Sequence, residues 1–343
     1  MVTQSSGTAR LPLLDGLRGL AAIAVMLYHV ETFFGDFGPF SRGYLFVDFF
    51  FLLSGFVLTL SAESKMNAGL GAVGFMRARL VRLWPVIAAG ALVGAVCYGM
   101  TDGWDGVFMS LILALLIVPA VWSNGQIFPL NGPQWSLMLE LFANLAHGLV
   151  LRRLNDFGLL AVVIVSGCAL LAVIFAFGSN TLGPFAFNWW YAIPRVAFAY
   201  TLGIWMGRKW MLRDWRQLVS WEVAFLLPGL AIVILARIPV SVALGDGLAS
   251  LVILPGLFWL AATTSPPAAA QRWLSVLGAL SFPLYAVHVP IINLYATMGN
   301  SWQIRLLAIA SAVLAAQILA MTLERKRAMK GKARPVGERV SAP

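Results

Sequence analysis

The sequence predicts an all-α integral membrane protein of about ten transmembrane helices plus one re-entrant or interfacial segment over residues 107–122. Three observations lead there. Hydrophobic residues make up 60% of the 343 and charged residues 11%, with a mean hydropathy of +0.84, more apolar surface than a soluble core of this size can hide. Apolar runs follow one another from Leu13 to Leu323, each close to the roughly 20 residues that a bilayer core requires. The basic residues gather in the short connections between these runs and in a tail from Arg325 to Arg339. That distribution is positive-inside topology, and it excludes the nucleic-acid partner that a formal charge of +10 would suggest.

One membrane domain is expected over residues 1–324, followed by a basic, disordered cytoplasmic tail at 325–343. The opening MVTQSSGTAR lacks a signal-peptide n-region, and the first apolar run carries Arg18 and His29, so it reads as a permanent span. Cys97 and Cys168 each lie within an apolar run and read as buried thiols, with neither a disulfide nor a metal site expected. No repeat or water-soluble second domain is visible, and Ser265-Pro266-Pro267 marks a loop.

Eleven apolar segments fall at 13–34, 44–61, 84–100, 107–122, 134–151, 157–177, 188–207, 220–236, 247–264, 275–295 and 303–323. If all eleven crossed from a cytoplasmic N-terminus, Arg152, Arg153, Arg208, Lys209 and the basic tail would all lie outside, against the positive-inside rule. If 107–122 instead dips in and returns, nineteen basic residues face the cytoplasm and only Arg42, Arg237 and Arg305 face out. Segment 107–122 is also short and contains Pro119. Ten spans with both termini cytoplasmic is therefore the expected topology.

Ionisable side chains inside spans are costly and mark function by default. Here they are Arg18, His29, Asp48, Glu140, His147, Arg195 and His288. Arg18 and His29 are eleven residues apart, which places them on one helix face about 16 Å apart along the axis. In NGPQWSLMLELFANLAHGLV, Ser136, Glu140 and Asn144 repeat at four-residue spacing and form a second polar stripe. Counting helix rise from each entry point sets His29, Glu140 and His288 at similar depth and predicts that they meet. His147 lies deeper and reads as a packing residue. The connection GFMRARLVRLWP sets Arg77, Arg79 and Arg82 at the cytoplasmic edge, before a helix expected to start at Pro85, as a site for phosphates or an anchor of topology. Most of the thirteen tryptophans read as interfacial belt. Trp135 and the pair Trp189-Trp190 are the exceptions singled out near the outer surface.

These motifs resemble the acyltransferase type 3 family of bacterial membrane O-acyltransferases. LDGLRGLAAIAVMLYHV is similar to its first-span signature, VDFFFLLSGFVL to its second-span element and RARLVRLWP to its arginine-rich stretch. WSLMLE and LSFPLYAVHVPI resemble its Trp-Ser-Leu-x-x-Glu and Ser-x-x-Leu-Tyr-x-x-His-x-Pro elements. All five occur in the family's order over residues 14–291. The likeness is to the stand-alone form, without the C-terminal esterase-like domain that many relatives carry. After Glu140 the chain reads LFANLAH where the family continues with polar and aromatic residues, a departure on the acceptor side.

The resemblance implies transfer of an acyl group, commonly acetyl, from cytoplasmic acyl-CoA to a hydroxyl of a glycan or lipid-linked sugar. Acyl-CoA is then a co-substrate, and no permanently bound cofactor is expected. A sugar hydroxyl needs a base as it attacks, and the thioester oxygen needs donors as it gains charge. His29 is the expected base and Glu140 its orienting carboxylate, while Arg18, Arg77, Arg79 and Arg82 hold the phosphates of the donor. Asp48, Ser136, His288 and Trp135 stand in support, and Ser54 reads as a packing residue. The alternative is a transporter or flippase of polar lipids or glycans, since buried Arg, Glu and His also mark substrate and proton pathways.

Overall fold

A computed structural model describes residues 11–332 apart from Ser123 and Asp214, with side chains as far as Arg325. Among the described residues there is no strand, and twelve α-helices follow in order: α1 (Pro12–Phe33), α2 (Phe46–Lys65), α3 (Gly71–Thr101), α4 (Val107–Leu116), α5 (Gln134–Leu149), α6 (Asp156–Phe177), α7 (Ile193–Met211), α8 (Trp221–Leu235), α9 (Val242–Leu248), α10 (Leu254–Ala262), α11 (Ala268–Ala296) and α12 (Trp302–Lys332). Six stretches are long and apolar enough to cross a bilayer, namely Pro12–Phe33, Gly43–Thr101, Asp156–Phe177, Val242–Ala262, Ala268–Ala296 and Trp302–Arg325. The second of these holds both α2 and α3. They part at Gly69 and Gly71, whose φ angles of 109° and 67° lie in the left-handed region that glycine enters without steric cost.

Lipid tails give helices no hydrophobic reason to associate, so close backbone approach at small residues does that work. A Cβ on Gly55 of α2 would sit 2.1 Å from the Tyr200 carbonyl oxygen of α7, and one on Gly203 of α7 equally close to that of Leu52. Gly19 and Gly278 play the same part between α1 and α11, and Gly90 between α3 and α11. Helix α11 is therefore held on two sides. Its Pro290 cannot donate to the Ala286 carbonyl, which instead accepts the Asn131 side-chain N–H at 2.8 Å.

We call the end of the bundle where α1 begins proximal. Arg208 of α7 donates to Glu63 of α2 and to the backbone oxygens of Leu151 and Arg152 just beyond α5, so these three helices end together there. His147 lies in the same grouping, between Glu63 at 3.0 Å and Tyr200 at 3.1 Å. It lines neither of the two cavities described below. At the distal end Asn300 caps the Phe34 carbonyl and Arg305 pairs with Asp36, joining the end of α1 to the start of α12.

The 107–122 segment folds as the ten-residue α4, about 15 Å long and so half a bilayer core. It ends at Ile117 in the left-handed conformation, and its Ala114 carbonyl accepts from the Gln134 side chain at the head of α5. Residues 125–127 then run beside 184–186, with Ile127 N–H on Pro184 O at 2.9 Å and Ala186 N–H on Gly125 O at 3.0 Å.

Four expectations are corrected. Helix α3 starts at Gly71 and not at Pro85, so the arginines are helical; the proline ring costs one bond to the Val81 carbonyl, and the helix continues through it. Helix α12 runs to Lys332, so the first part of the tail is helical; residues 333–343 lie outside the described residues, as does the opening 1–10. Cys168 is exposed, because α6 is apolar all round and hydropathy cannot say which face turns inward. The last concerns the depth of α5 and bears on the site.

Candidate active site

Two cavities run along the bundle and share two wall residues, Val47 and Tyr285. The proximal one, about 230 Å³, is bounded by α1, α2, α3, α5, α11 and α12. The distal one, about 210 Å³, is bounded by α1 and α11 together with the segments around 126–133 and 181–185.

The proximal cavity holds the arginines. Arg18 donates from Nε to Ser281 Oγ at 2.8 Å and from Nη2 to the Gly278 carbonyl at 2.7 Å, which ties it across the glycine contact between α1 and α11. Arg79 and Arg82 stand three residues apart on α3 and both line the cavity. Glu140 enters from α5 and accepts from Arg79 Nη2 at 2.8 Å and from Ser54 Oγ at 2.7 Å. Arg79 is buried, and its Nε makes no hydrogen bond among the described residues. Arg77 is exposed and does not line the cavity, since two residues along a helix is most of the way to the opposite face. Ser54, expected only to pack, is a partner of Glu140.

The distal cavity holds a histidine pair. His29 Nδ1 lies 2.9 Å from the Val25 carbonyl oxygen and 3.1 Å from His288 Nε2, and His288 Nδ1 lies 2.9 Å from the Leu284 carbonyl oxygen. A carbonyl only accepts, so both Nδ1 atoms carry protons, and the His288 Nε2 lone pair accepts the second branch of the His29 N–H. The neutral His29 ring is thereby left with a bare Nε2, which no described residue hydrogen-bonds, on a side chain that lines the cavity. An imidazole held as one tautomer with its other nitrogen open is fit to take a proton.

His29 and His288 thus meet as their depths predicted, but Glu140 does not join them. The reason is where α5 starts. Its first turn lies against the end of α4, and Ser136 Oγ sits 2.8 Å from Tyr285 OH, a residue about 16 Å short of the distal end of α11. Taking Pro133 as an entry point at the membrane surface set Glu140 too shallow. It belongs to the arginines.

Trp135 is buried in the distal cavity wall, with the Arg195 guanidinium 5.7 Å from its ring centre. Trp189 and Trp190 line neither cavity. Asp48 lines neither cavity and is the counter-ion of buried Arg195. Asn180 and Ser250 also donate to Asp48, at 3.0 and 2.5 Å. Arg195 further donates to the Tyr44 carbonyl at 2.8 Å. Tyr285 carried no weight in the sequence beyond its place in a motif, because nothing in spacing reveals that a residue borders two cavities.

Residues 11–325 match the model of a family described as an acyltransferase domain. A protein called Protein 2 in picA locus, from Rhizobium radiobacter, is 37% identical over 158 residues, 40% of this chain and 81% of that protein. Acyltransferase MdmB of Streptomyces mycarofaciens is 33% identical over 148 residues, 38% of this chain but 36% of its own length. O-acetyltransferase OatA of Staphylococcus aureus is 37% identical over 79 residues, 22% of this chain and 12% of its own length. No solved structure matches the chain.

Proposed function

The chain belongs to the acyltransferase type 3 family and is a multi-pass membrane acyltransferase, and from that premise we propose that it carries an acyl group, acetyl first, from cytoplasmic acyl-CoA to a hydroxyl of a glycan or lipid-linked sugar. Family membership decides for acyl transfer over transport. The observation that carries the proposal is the pair of cavities with complementary chemistry meeting at Val47 and Tyr285.

We read ten crossings with both termini in the cytoplasm of a bacterial inner membrane. The common end of α2, α5 and α7, and the pairing of α1's end with α12's start, support that count. The proximal cavity is then cytoplasmic. Arg18, Arg79 and Arg82 would receive the donor's phosphates through charge-assisted hydrogen bonds, and Glu140 with Ser54 holds Arg79 in place. The pantetheine arm extends along the apolar wall of α2 and brings the thioester to the shared wall.

The acceptor enters from the distal side. Its hydroxyl gives a proton to His29 Nε2 as its oxygen attacks the thioester carbon; the C–O bond forms, the C–S bond breaks, and the proton passes from His29 to the departing thiolate. His288 supports the imidazolium by accepting from His29 Nδ1, the orienting role that Glu140 had been expected to fill.

Acetyl-CoA offered to purified wild-type protein in detergent tests the proposal, with free thiol release as the readout. Slow donor turnover, accelerated by a sugar acceptor, is expected. A well-folded protein that neither binds nor consumes acyl-CoA would remove this reading.

A further inference from the structure

Transfer by this route places the thioester carbonyl beside Tyr285, among the described residues the one polar side chain that borders both cavities. Its partner in the shared wall, Val47, is apolar. The Tyr285 ring is buried, 5.8 Å between centroids from His288 and one helical turn before it. Its hydroxyl lies 2.8 Å from Ser136 Oγ, which in turn lies 3.0 Å from the Pro133 carbonyl oxygen.

The direction of this short chain follows from its end. A carbonyl can only accept, so the single proton of Ser136 goes to Pro133 and the phenol donates to Ser136 Oγ. Tyr285 therefore holds its proton against a neutral acceptor that keeps its own hydrogen bond when the phenol turns away. The backbone carrying it is fixed, since Asn131 caps the adjacent Ala286 carbonyl that Pro290 leaves open.

We propose that Tyr285 is a catalytic residue, the hydrogen-bond donor to the thioester oxygen as it becomes an oxyanion, with Ser136 holding the phenol ready between turnovers. This rests on the acyl-transfer reading above. When the acceptor oxygen attacks and its proton goes to His29 Nε2, the carbonyl π electrons move onto the thioester oxygen. Tyr285 then exchanges a neutral acceptor for an anionic one, a bond about twice as strong. The oxyanion collapses, the C–S bond breaks, the thiolate takes the proton from His29, and the phenol returns to Ser136 with its own proton never lost. A donor that strengthens only as charge develops lowers the barrier without tightening substrate binding.

The test is Tyr285→Phe in the full chain, purified in detergent with acetyl-CoA and acceptor. The ring and the wall between the cavities persist and only the hydroxyl is gone. A fall in kcat of about 10²-fold or more is expected, with acyl-CoA affinity and melting temperature unchanged. Ser136→Ala should cost far less, because the phenol keeps its proton. Wild-type kcat in Tyr285→Phe overturns the proposal, as does a loss matched by lost donor affinity or stability, which would make Tyr285 a wall residue only. Two controls separate the levels: an inactive His29→Ala beside an active Tyr285→Phe retires Tyr285 alone, whereas wild-type protein that neither binds nor consumes acyl-CoA retires the acyl-transfer reading itself.

Discussion

The distal half of the molecule buries two polar groupings that are satisfied in opposite ways. Around Asp48, every strong charge meets a strong charge: Arg195 faces Asp48, Arg42 donates to Asp246 at 3.0 Å, and Tyr44, Asn180 and Ser250 fill the remaining carboxylate positions. Around His29 no described residue supplies a counter-charge, and the pair's hydrogen-bond partners are two carbonyl oxygens and each other. The first arrangement cannot give up a member cheaply, because losing one strands another in a low-dielectric interior. The second leaves a basic nitrogen open and can gain a proton without breaking a bond. Burial and residue type alone do not separate a structural ion cluster from a reactive site; the direction and completeness of the hydrogen bonds do.

The contrast is broken most sharply at His29. His29→Ala should lower acyl transfer by about 10²–10⁴-fold while donor binding and thermal stability hold, and His29→Gln should not restore it, because an amide does not take the proton. Steady-state kinetics beside a detergent melting curve decides this, and a stable, donor-binding, fully active His29→Ala would place the base elsewhere. Asp48→Ala should do the reverse. It leaves Arg195 uncompensated and should cost about 3–5 kcal/mol of stability, seen as a lower melting temperature and yield, with the surviving folded fraction still active. Selective loss of kcat in that variant would move Asp48 into the chemistry.

Smaller effects sharpen the assignment. His288→Ala should lower kcat by about tenfold, the kinetic equivalent of one neutral hydrogen bond, without raising either KM. His288→Gln, which keeps an acceptor for His29 Nδ1, should recover much of that loss. Among the arginines, Arg79→Gln and Arg82→Gln should each weaken acyl-CoA binding by about tenfold, within the range of a charge-assisted hydrogen bond. Arg77→Gln should change nothing measurable, since it points away from the cavity. Equal losses at all three would mean a diffuse positive surface and no defined phosphate site.

What the sequence disclosed about this site was mostly angular. The shared face of Arg18 and His29 holds, and that single stripe on α1 reaches from one cavity to the other. Helical spacing likewise put Ser136 and Glu140 on one inward face of α5. Depth was less legible. It depends on where a helix begins, and α5 begins well inside the bundle because α4 carries the chain down before it. That displacement, a few turns of helix, separated Glu140 from His29 and gave it to Arg79. Helix ends in the arginine-rich stretch were misplaced for a different reason: Pro85 reads as a start signal, yet in a packed helix it costs only one backbone bond. Ser54 and Tyr285 were visible only as motif letters, since their meaning comes from neighbours on other helices.

The walls of the two cavities differ in kind. Every residue bordering the proximal one belongs to an α-helix, whereas Gln126, Gly132, Pro133, Thr181, Pro184 and Phe185 of the distal one lie in irregular segments between helices. Helical walls change only by repacking the bundle, and loops accept insertions and new side chains at little cost to stability. The molecule is thus divided into a conservative half and an adaptable half. On the acyl-transfer reading proposed above, Gln126, Thr181, Pro184 and Phe185, which line the distal cavity without being buried, are the positions to vary for altered acceptor specificity, whereas Asn131, Pro133 and Asn180 of the same segments hold Ala286, Ser136 and Asp48 and must stay.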